Sequence, residues 1–359
     1  MLEQTTAPEA VAARWRLAVA DDVLAPRSTL DVLSDLNQRV TDGKIAELQP
    51  IGTGFIPLDK TIGGGLRPGE LMLIGGAQGA GKTTMALQMA RNMAASGQAT
   101  VLYVCFEHDE EYLLQRMIAM ESALAGLPKK RGGTKISEVR AEVLNTYASA
   151  EGTNEPARLG NNPTLRPSLE RIARYGSNLF LMRGTATSST IDNLRDLVRQ
   201  HRGQDERRMV LVVDYLQKIP VIPEPHDEAE KVTRSVSGLK DIALALDAPV
   251  IAIVAADREG LKASRLRNHH LRGSSAINYE SDIIVILNEK YHIVAKVNIE
   301  FNPYQAQRYR DWVIASIEKN RGGQDNIDLE YEKLFEYSCF DPTGRVTAEK
   351  LVEERLYTD

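Results

Sequence analysis

The chain has only two cysteines, Cys105 and Cys339. They stand far apart and without partners at metal-ligand spacing, so neither a disulfide framework nor a zinc site is indicated, and the apolar run around Cys105 marks that residue as core. Long hydrophobic runs are missing too. The longest, Val250 to Ala256, falls well short of the roughly 20 residues that cross a bilayer, and no basic segment followed by an apolar one opens the chain. The expected location is therefore cytoplasmic, with no membrane partner. Positive charge is not in excess: 44 Lys and Arg against 49 Asp and Glu leave a formal −5. That balance excludes attraction of the whole molecule to nucleic acid and leaves only local basic patches, such as those that line the pore of a ring. What is present, 43% hydrophobic residues in 359, is enough for a large core and excludes disorder or a fibre. The length allows two or three domains, or one elaborated α/β domain with appendages.

The most informative stretch is Gly76-Ala77-Gln78-Gly79-Ala80-Gly81-Lys82-Thr83, which fits the phosphate-loop pattern G-x-x-x-x-G-K-[ST]. Leu71-Met72-Leu73-Ile74 leads into it as a buried strand would, and Thr84 to Ala95 leads out at helical spacing, the context the pattern needs. Glycines let the backbone turn its N–H groups inward toward the positive end of the following helix, making a cradle for a β-phosphate. Gly76, Gly79, Ala80, Gly81, Lys82, Thr83 and Thr84 are thus expected to bind a nucleoside triphosphate. Lys82 would supply charge to the β and γ oxygens, and Thr83 a hydroxyl to Mg²⁺.

Residues up to about Pro26 read as a mobile or weakly helical arm. Leu30, Leu33, Leu36 and Val40 then mark one face of a short helix closed by Asp42-Gly43; too short to stand alone, it must dock on its own core or on a neighbouring subunit. From Gly52 strands and helices alternate. Strands are expected at Thr100–Phe106, Asn178–Met182, Met209–Val213, Val250–Ala255, Ile283–Leu287 and Trp312–Glu318. Helices are expected at Tyr112–Leu124, after a capping box of Ser189 with Asp192, and at Val232–Leu246. Such alternation implies an α/β fold, a mainly parallel sheet with helices on both faces. A polar segment from Gly126 to Pro167, carrying Lys129-Lys130-Arg131 and a helix near Ser137–Tyr147, interrupts it as an insertion.

Two acids stand at expected strand ends. Val210-Leu211-Val212-Val213 finishes in Asp214, where a carboxylate beside the phosphate loop can hold Mg²⁺ through water. Glu107 ends the strand after the phosphate-loop helix and could polarise a water for attack on the γ-phosphate, although an acid in the cluster Glu107 to Glu111 also suits a helix N-terminus. Arg258, Lys262, Arg265, Arg267, His269, His270 and Arg272 form the most basic stretch outside the insertion, suited to holding a strand by its phosphates without reading its sequence; a solvated basic loop is the plain alternative.

Gly52-Thr53-Gly54-Phe55 with Leu58-Asp59, Gly63-Gly64-Gly65-Leu66, the phosphate loop, Glu107 with Arg116-Met117, Asp214-Tyr215-Leu216-Gln217, Leu271-Arg272-Gly273-Ser274-Ser275-Ala276-Ile277 and Lys319-Asn320-Arg321 occur in the order seen in bacterial replicative DNA helicases of the DnaB type. Over roughly residues 46 to 341 the chain resembles the motor domain of that family, a RecA-type fold. The chain is accordingly read as a short N-terminal arm and linker helix over 1–45, a motor domain over 46–345 and a tail over 346–359. The resemblance implies Glu107 as catalytic base, Arg116 as a nucleotide-site arginine and Asp214 as the Mg²⁺ acid. Lys319 and Arg321 would act as a finger from a late hairpin in the neighbouring subunit's site. Arg272, Gly273 and Ser275 would hold the DNA backbone. ATP and Mg²⁺ are the implied cofactors, single-stranded DNA the partner, a homo-hexamer the assembly and a loader protein a candidate partner in DNA replication.

The chain departs from that family in places. About fifty residues stand where the family has a large helical domain that forms a collar and meets primase. Ala255 stands where a Gln is common, and Gly273 where a Glu follows the loop arginine. These departures leave a second expectation beside the ATP-driven, ring-forming motor: a regulatory or assembly ATPase like RecA, RadA or KaiC, without unwinding.

Overall fold

The computed structural model describes residues 17–19, 22–24, 26–43, 49–127, 132–150, 158–202, 207–273, 275–294, 307–349 and 351. Lys129-Lys130-Arg131, Ser274 and the last eight residues lie outside them. The chain forms two compact units, 1–49 and 50–359.

In the first unit, β1 (Leu17–Val19) and β2 (Asp22–Leu24) pair antiparallel, so the expected weakly helical arm holds a hairpin instead. Helix α1 (Thr29–Thr41) follows, and its start is fixed by a capping box in which the Ser28 hydroxyl accepts the Asp31 N–H and the Asp31 carboxylate accepts the Ser28 N–H. Leu30, Leu33, Leu36 and Val40 are all exposed.

The second unit is built on a ten-stranded sheet. Six strands run parallel, in the spatial order β5 (Leu179–Arg183), β4 (Ala99–Cys105), β6 (Arg208–Asp214), β7 (Val250–Ala255), β3 (Leu71–Gly76), β8 (Ile283–Glu289). An antiparallel meander of β9 (Trp312–Asn320), β10 (Ile327–Leu334) and β11 (Cys339–Phe340) extends the β8 edge, and β12 (Arg345–Val346) also pairs with β10.

Strand periodicity divides the core into two layers. Met72, Ile74, Val101, Tyr103, Val210 and Val212 face α3 (Lys82–Ala95) and α4 (Glu110–Leu124), packing with Met85, Leu87, Leu113 and Met117. Their neighbours Leu71, Leu73, Leu102, Val104, Leu211 and Val213 face α7 (Ile191–Arg202) and α8 (Glu228–Ala245), packing with Leu194, Val198, Val236 and Leu239. Covered on both faces, these strands read as continuous apolar runs. Short helices α2 (Ile56–Thr61), α6 (Arg166–Ala173), α9 (Ala276–Glu280) and α10 (Lys290–Ile293) complete the unit. The insertion carries α5 (Ile136–Ala150), longer than expected, which docks on α4 through Val139 beside Ile118, Ala119 and Leu165.

Two local readings change. Helix α7 is capped by Thr190, whose hydroxyl accepts the Asn193 N–H at 3.3 Å; Ser189 sits one residue too early and accepts the Thr185 N–H at 3.0 Å instead. Part of the basic stretch is structural. Arg265 is 3% exposed and bonds Asp328 and Ser316, Arg267 pairs with Glu318 at 2.8 Å, and buried His270 accepts the Arg267 N–H. Arg258, Lys262, His269 and Arg272 remain at the surface.

Candidate active site

In a parallel sheet the carboxyl ends of all strands meet at one edge, where ligands bind. Here Gly76 pairs level with Ala255, and Cys105 level with Asp214. The phosphate loop, Glu107 and Asp214 therefore converge from three strands on a cavity of about 540 Å³, ample for a nucleotide. Gly76, Gly79, Gly81, Lys82, Thr83, Thr84, Glu107, Arg116 and Asp214 all line it. Ala80 is the exception: its side chain is buried and its N–H donates to the Ala77 carbonyl at 3.3 Å. Phe335 forms one wall so tightly that a Cβ on Gly81 would lie 2.6 Å from its ring and from that of Phe340.

Lys82 Nζ donates to the Gly76 and Ala77 carbonyls, each at 2.9 Å. Burial lowers its pKa, opposed by the charges of Asp214 and Glu107. Asp214 is 1% exposed, and burial raises its pKa against hydrogen bonds from Thr83 and from the Tyr103 hydroxyl, the latter at 3.0 Å. The Cys105 thiol, 4.0 Å from the same carboxylate oxygen, is pushed up to about 11 by burial and by that carboxylate, which keeps it an inert core residue. Arg116 is held by Thr84 Oγ1 at 2.6 Å and Ser338 Oγ at 3.3 Å. Thr83 and Asp214 offer only oxygens, the donor type Mg²⁺ takes, and among the described residues no cluster of three or more His, Cys, Asp or Glu could hold a metal unaided. A magnesium ion held by one or two protein oxygens together with substrate phosphates fits that set.

A second cavity of about 590 Å³ shares the walls Ala256 and Leu261 with the first and is lined by Glu228, Arg258, Arg272 and Gly273. Its floor is stitched to β7: Arg272 N–H donates to the Ala255 carbonyl at 2.9 Å. Gln217 Nε2 donates to the Arg272 carbonyl at 3.0 Å while its Oε1 accepts the Ala255 N–H at 3.2 Å. An amide thus reaches the end of β7 from the short turn that follows the neighbouring strand β6, although residue 255 itself is alanine. Arg272 makes a two-pronged ion pair with Glu228, 2.6 and 2.9 Å. Ser275 is exposed at the start of α9.

Lys319 and Arg321 are not brought to this edge. β9 runs antiparallel, so Asn320 pairs with Ile283 and Arg321 N–H bonds the Asp282 carbonyl, level with the beginning of β3. Five strand steps, about 16 Å, separate that level from Gly76, beyond the reach of a side chain on the same subunit. A bulge between Ile284 and Val285 leaves Glu318 unopposed and re-aims the strand end. Lys319 Nζ donates to the Asn278 and Ser281 carbonyls, and burial lowers its pKa.

Sequence reasoning missed Tyr103, Glu228 and Asp282 and gave Gln217 no role. For Tyr103 a signal existed: at period two it shares a face with Cys105 and Glu107. For Asp282 the signal was an acid directly before an apolar strand. Glu228 had none.

Fold and site together define a RecA-type phosphate-loop fold. The family described as the DnaB-like helicase C-terminal domain matches residues 50–340, and the chain belongs to it. It is 27% identical over 263 residues to the replicative DNA helicase DnaB of Haemophilus influenzae, covering 72% of this chain and 49% of that protein. With the Rickettsia bellii DnaB it is 27% identical over 304 residues, 81% and 57%. The DNA repair protein RadA of Escherichia coli is 42% identical over 91 residues, only 25% of this chain. The chain spans about half the length of the DnaB relatives it matches. A solved ATPase domain superposes with a TM-score of 0.67 at 18% identity, covering 88% of this chain and 98% of that one. A DnaB-like replicative helicase, solved in a study of its interactions with primase, gives 0.64 at 18% identity, 89% and 68%. No helix among the described residues is long and apolar enough to cross a membrane.

Proposed function

We propose that this chain is an ATP-hydrolysing DNA helicase motor that works as a ring of identical subunits, a homo-hexamer, on single-stranded DNA during replication in the cytoplasm. The observation that carries the reading is the placement of the reactive groups. The triphosphate cradle, Glu107 and Asp214 share one edge of the sheet, while Lys319 and Arg321 sit at the opposite one. A site that needs a finger must then draw it from the next subunit. Helix α1, with its exposed apolar face, is the element proposed to pack across that boundary. A closed ring cannot thread onto a strand without free ends, which calls for a loader protein.

The chemistry needs no covalent intermediate. The loop N–H groups and Lys82 bind and orient the phosphates; Glu107 accepts the proton of the attacking water; Arg321 of the neighbour stabilises charge on the departing phosphoryl group. Mg²⁺, held by Thr83 and Asp214, would neutralise charge on the β and γ oxygens. Arg272, Gly273 and Ser275 hold DNA phosphates; the cavity that Arg272 and Gly273 line shares the Ala256 and Leu261 wall of the nucleotide pocket. The regulatory alternative has less support: the helicase family covers residues 50–340, whereas likeness to RadA covers a quarter of the chain.

The reading is tested by measuring whether single-stranded DNA stimulates hydrolysis and whether the stimulation falls as salt rises. A protein that binds no nucleic acid at low salt would refute it.

A further inference from the structure

Asp282 sits at the edge of the sheet opposite the phosphate loop and joins three groups. Its Oδ2 accepts the Leu71 N–H and the Lys240 ammonium, each at 2.7 Å, and its Oδ1 accepts Arg321 Nη1 at 3.1 Å. The carboxylate is nearly buried, at 7% exposure, and both of its oxygens are engaged. Arg321 is gripped a second time where its Nη2 donates to the Tyr279 carbonyl, while half of its side chain stays exposed. Leu71 is the first residue of β3, the strand that ends in the subunit's own phosphate loop.

We propose that Asp282 is the positioning residue that presents Arg321 to the neighbouring subunit's ATP site. The inference rests on the reading of Arg321 as a finger acting in trans. An arginine at the end of a strand has several rotatable bonds, and ordering it during the reaction would cost entropy. A carboxylate that holds the guanidinium beforehand removes that cost. Because Oδ2 is fixed to the backbone of β3, the anchor belongs to the rigid sheet and not to the hairpin turn. Lys319 differs: its ammonium bonds carbonyls of α9 and of the residue after it, so it braces the corner in which Arg321 stands. The alternative is a purely structural role through the nearly buried Lys240–Asp282 pair and the Leu71 N–H. Mixing of variant subunits separates the two roles.

The test uses the full chain carrying Asp282→Asn. The amide oxygen can keep the Leu71 and Lys240 bonds while its NH₂ faces the guanidinium, donor against donor. Binding of a fluorescent ATP analogue should hold within about twofold, while turnover falls about tenfold to a hundredfold. These subunits are then mixed, before assembly, with Lys82→Ala subunits, which have a dead loop but an intact finger. Turnover should return in the mixture, as it should for Arg321→Ala mixed with Lys82→Ala. Wild-type turnover in Asp282→Asn would overturn the proposal. So would a mixture that stays inactive while the Arg321→Ala mixture recovers, because Asp282 would then act inside its own subunit. An inactive Arg321→Ala mixture would instead remove the trans reading, and this inference with it. If Asp282→Asn does not fold, Asp282→Glu, which keeps the charge and displaces it by one methylene, is expected to give the same loss and the same rescue.

Discussion

Replacing Gly273 by alanine should weaken DNA binding without touching nucleotide binding. Its φ is +129°, a conformation that costs a residue with a side chain about 1–3 kcal/mol. The added Cβ would also lie 2.5–2.7 Å from three atoms of Val232 on α8, an overlap that costs a further 1–3 kcal/mol or so if nothing moves. Gly273 is exposed on its other side, so the chain relieves both penalties by shifting outward. Arg272, one residue earlier, moves with it and strains the bonds that tie its backbone to Ala255 and Gln217. Losing one well-placed phosphate contact per subunit is worth at least about 1.4 kcal/mol, or tenfold in affinity. Fluorescence anisotropy with a labelled oligonucleotide, beside titration of a fluorescent ATP analogue, measures both. Wild-type DNA affinity in Gly273→Ala would refute the assignment of this turn to DNA.

Glu228 occupies with its carboxylate the guanidinium face that a DNA phosphate would take, so Glu228→Gln should tighten binding of single-stranded DNA. Both partners are about half exposed, so the gain should stay within roughly fivefold and shrink as salt rises, as anisotropy at two ionic strengths would report. Glu121, 1% exposed, accepts Arg91 at 2.5 and 2.9 Å and the Tyr175 hydroxyl at 2.7 Å. Glu121→Ala leaves the buried Tyr175 hydroxyl and the partly buried Arg91 guanidinium without their shared acceptor and should cost about 3 kcal/mol, seen as a melting temperature lower by roughly 10 °C.

Legibility followed periodicity and local pattern. The parallel strands were readable because strands buried on both faces must be continuously apolar, and the phosphate loop because its glycine spacing is itself the chemistry. Thr83 came with the loop pattern, and Glu107 and Asp214 followed from the rule that parallel strands end on one edge. Readings failed where long-range charge pairing decides. Nothing in Arg265 or Arg267 announces that Asp328 and Glu318, more than fifty residues away, will neutralise them. The Asp282–Arg321 and Glu228–Arg272 pairs were hidden for the same reason, whereas Tyr103, whose hydroxyl meets Asp214 from an adjacent strand, was within reach of the period-two pattern. The Thr190 cap differs from the Ser189 reading by a single residue, which turn geometry settles and composition does not.

The central claim is that one subunit holds the triphosphate and the next completes its reactive pocket. Turnover per subunit, measured against protein concentration alongside mass in the presence and absence of ATP, tests it most directly. Activity should rise steeply as rings assemble and vanish on dilution to protomers. Full turnover by a species that stays a single protomer at every concentration would contradict it.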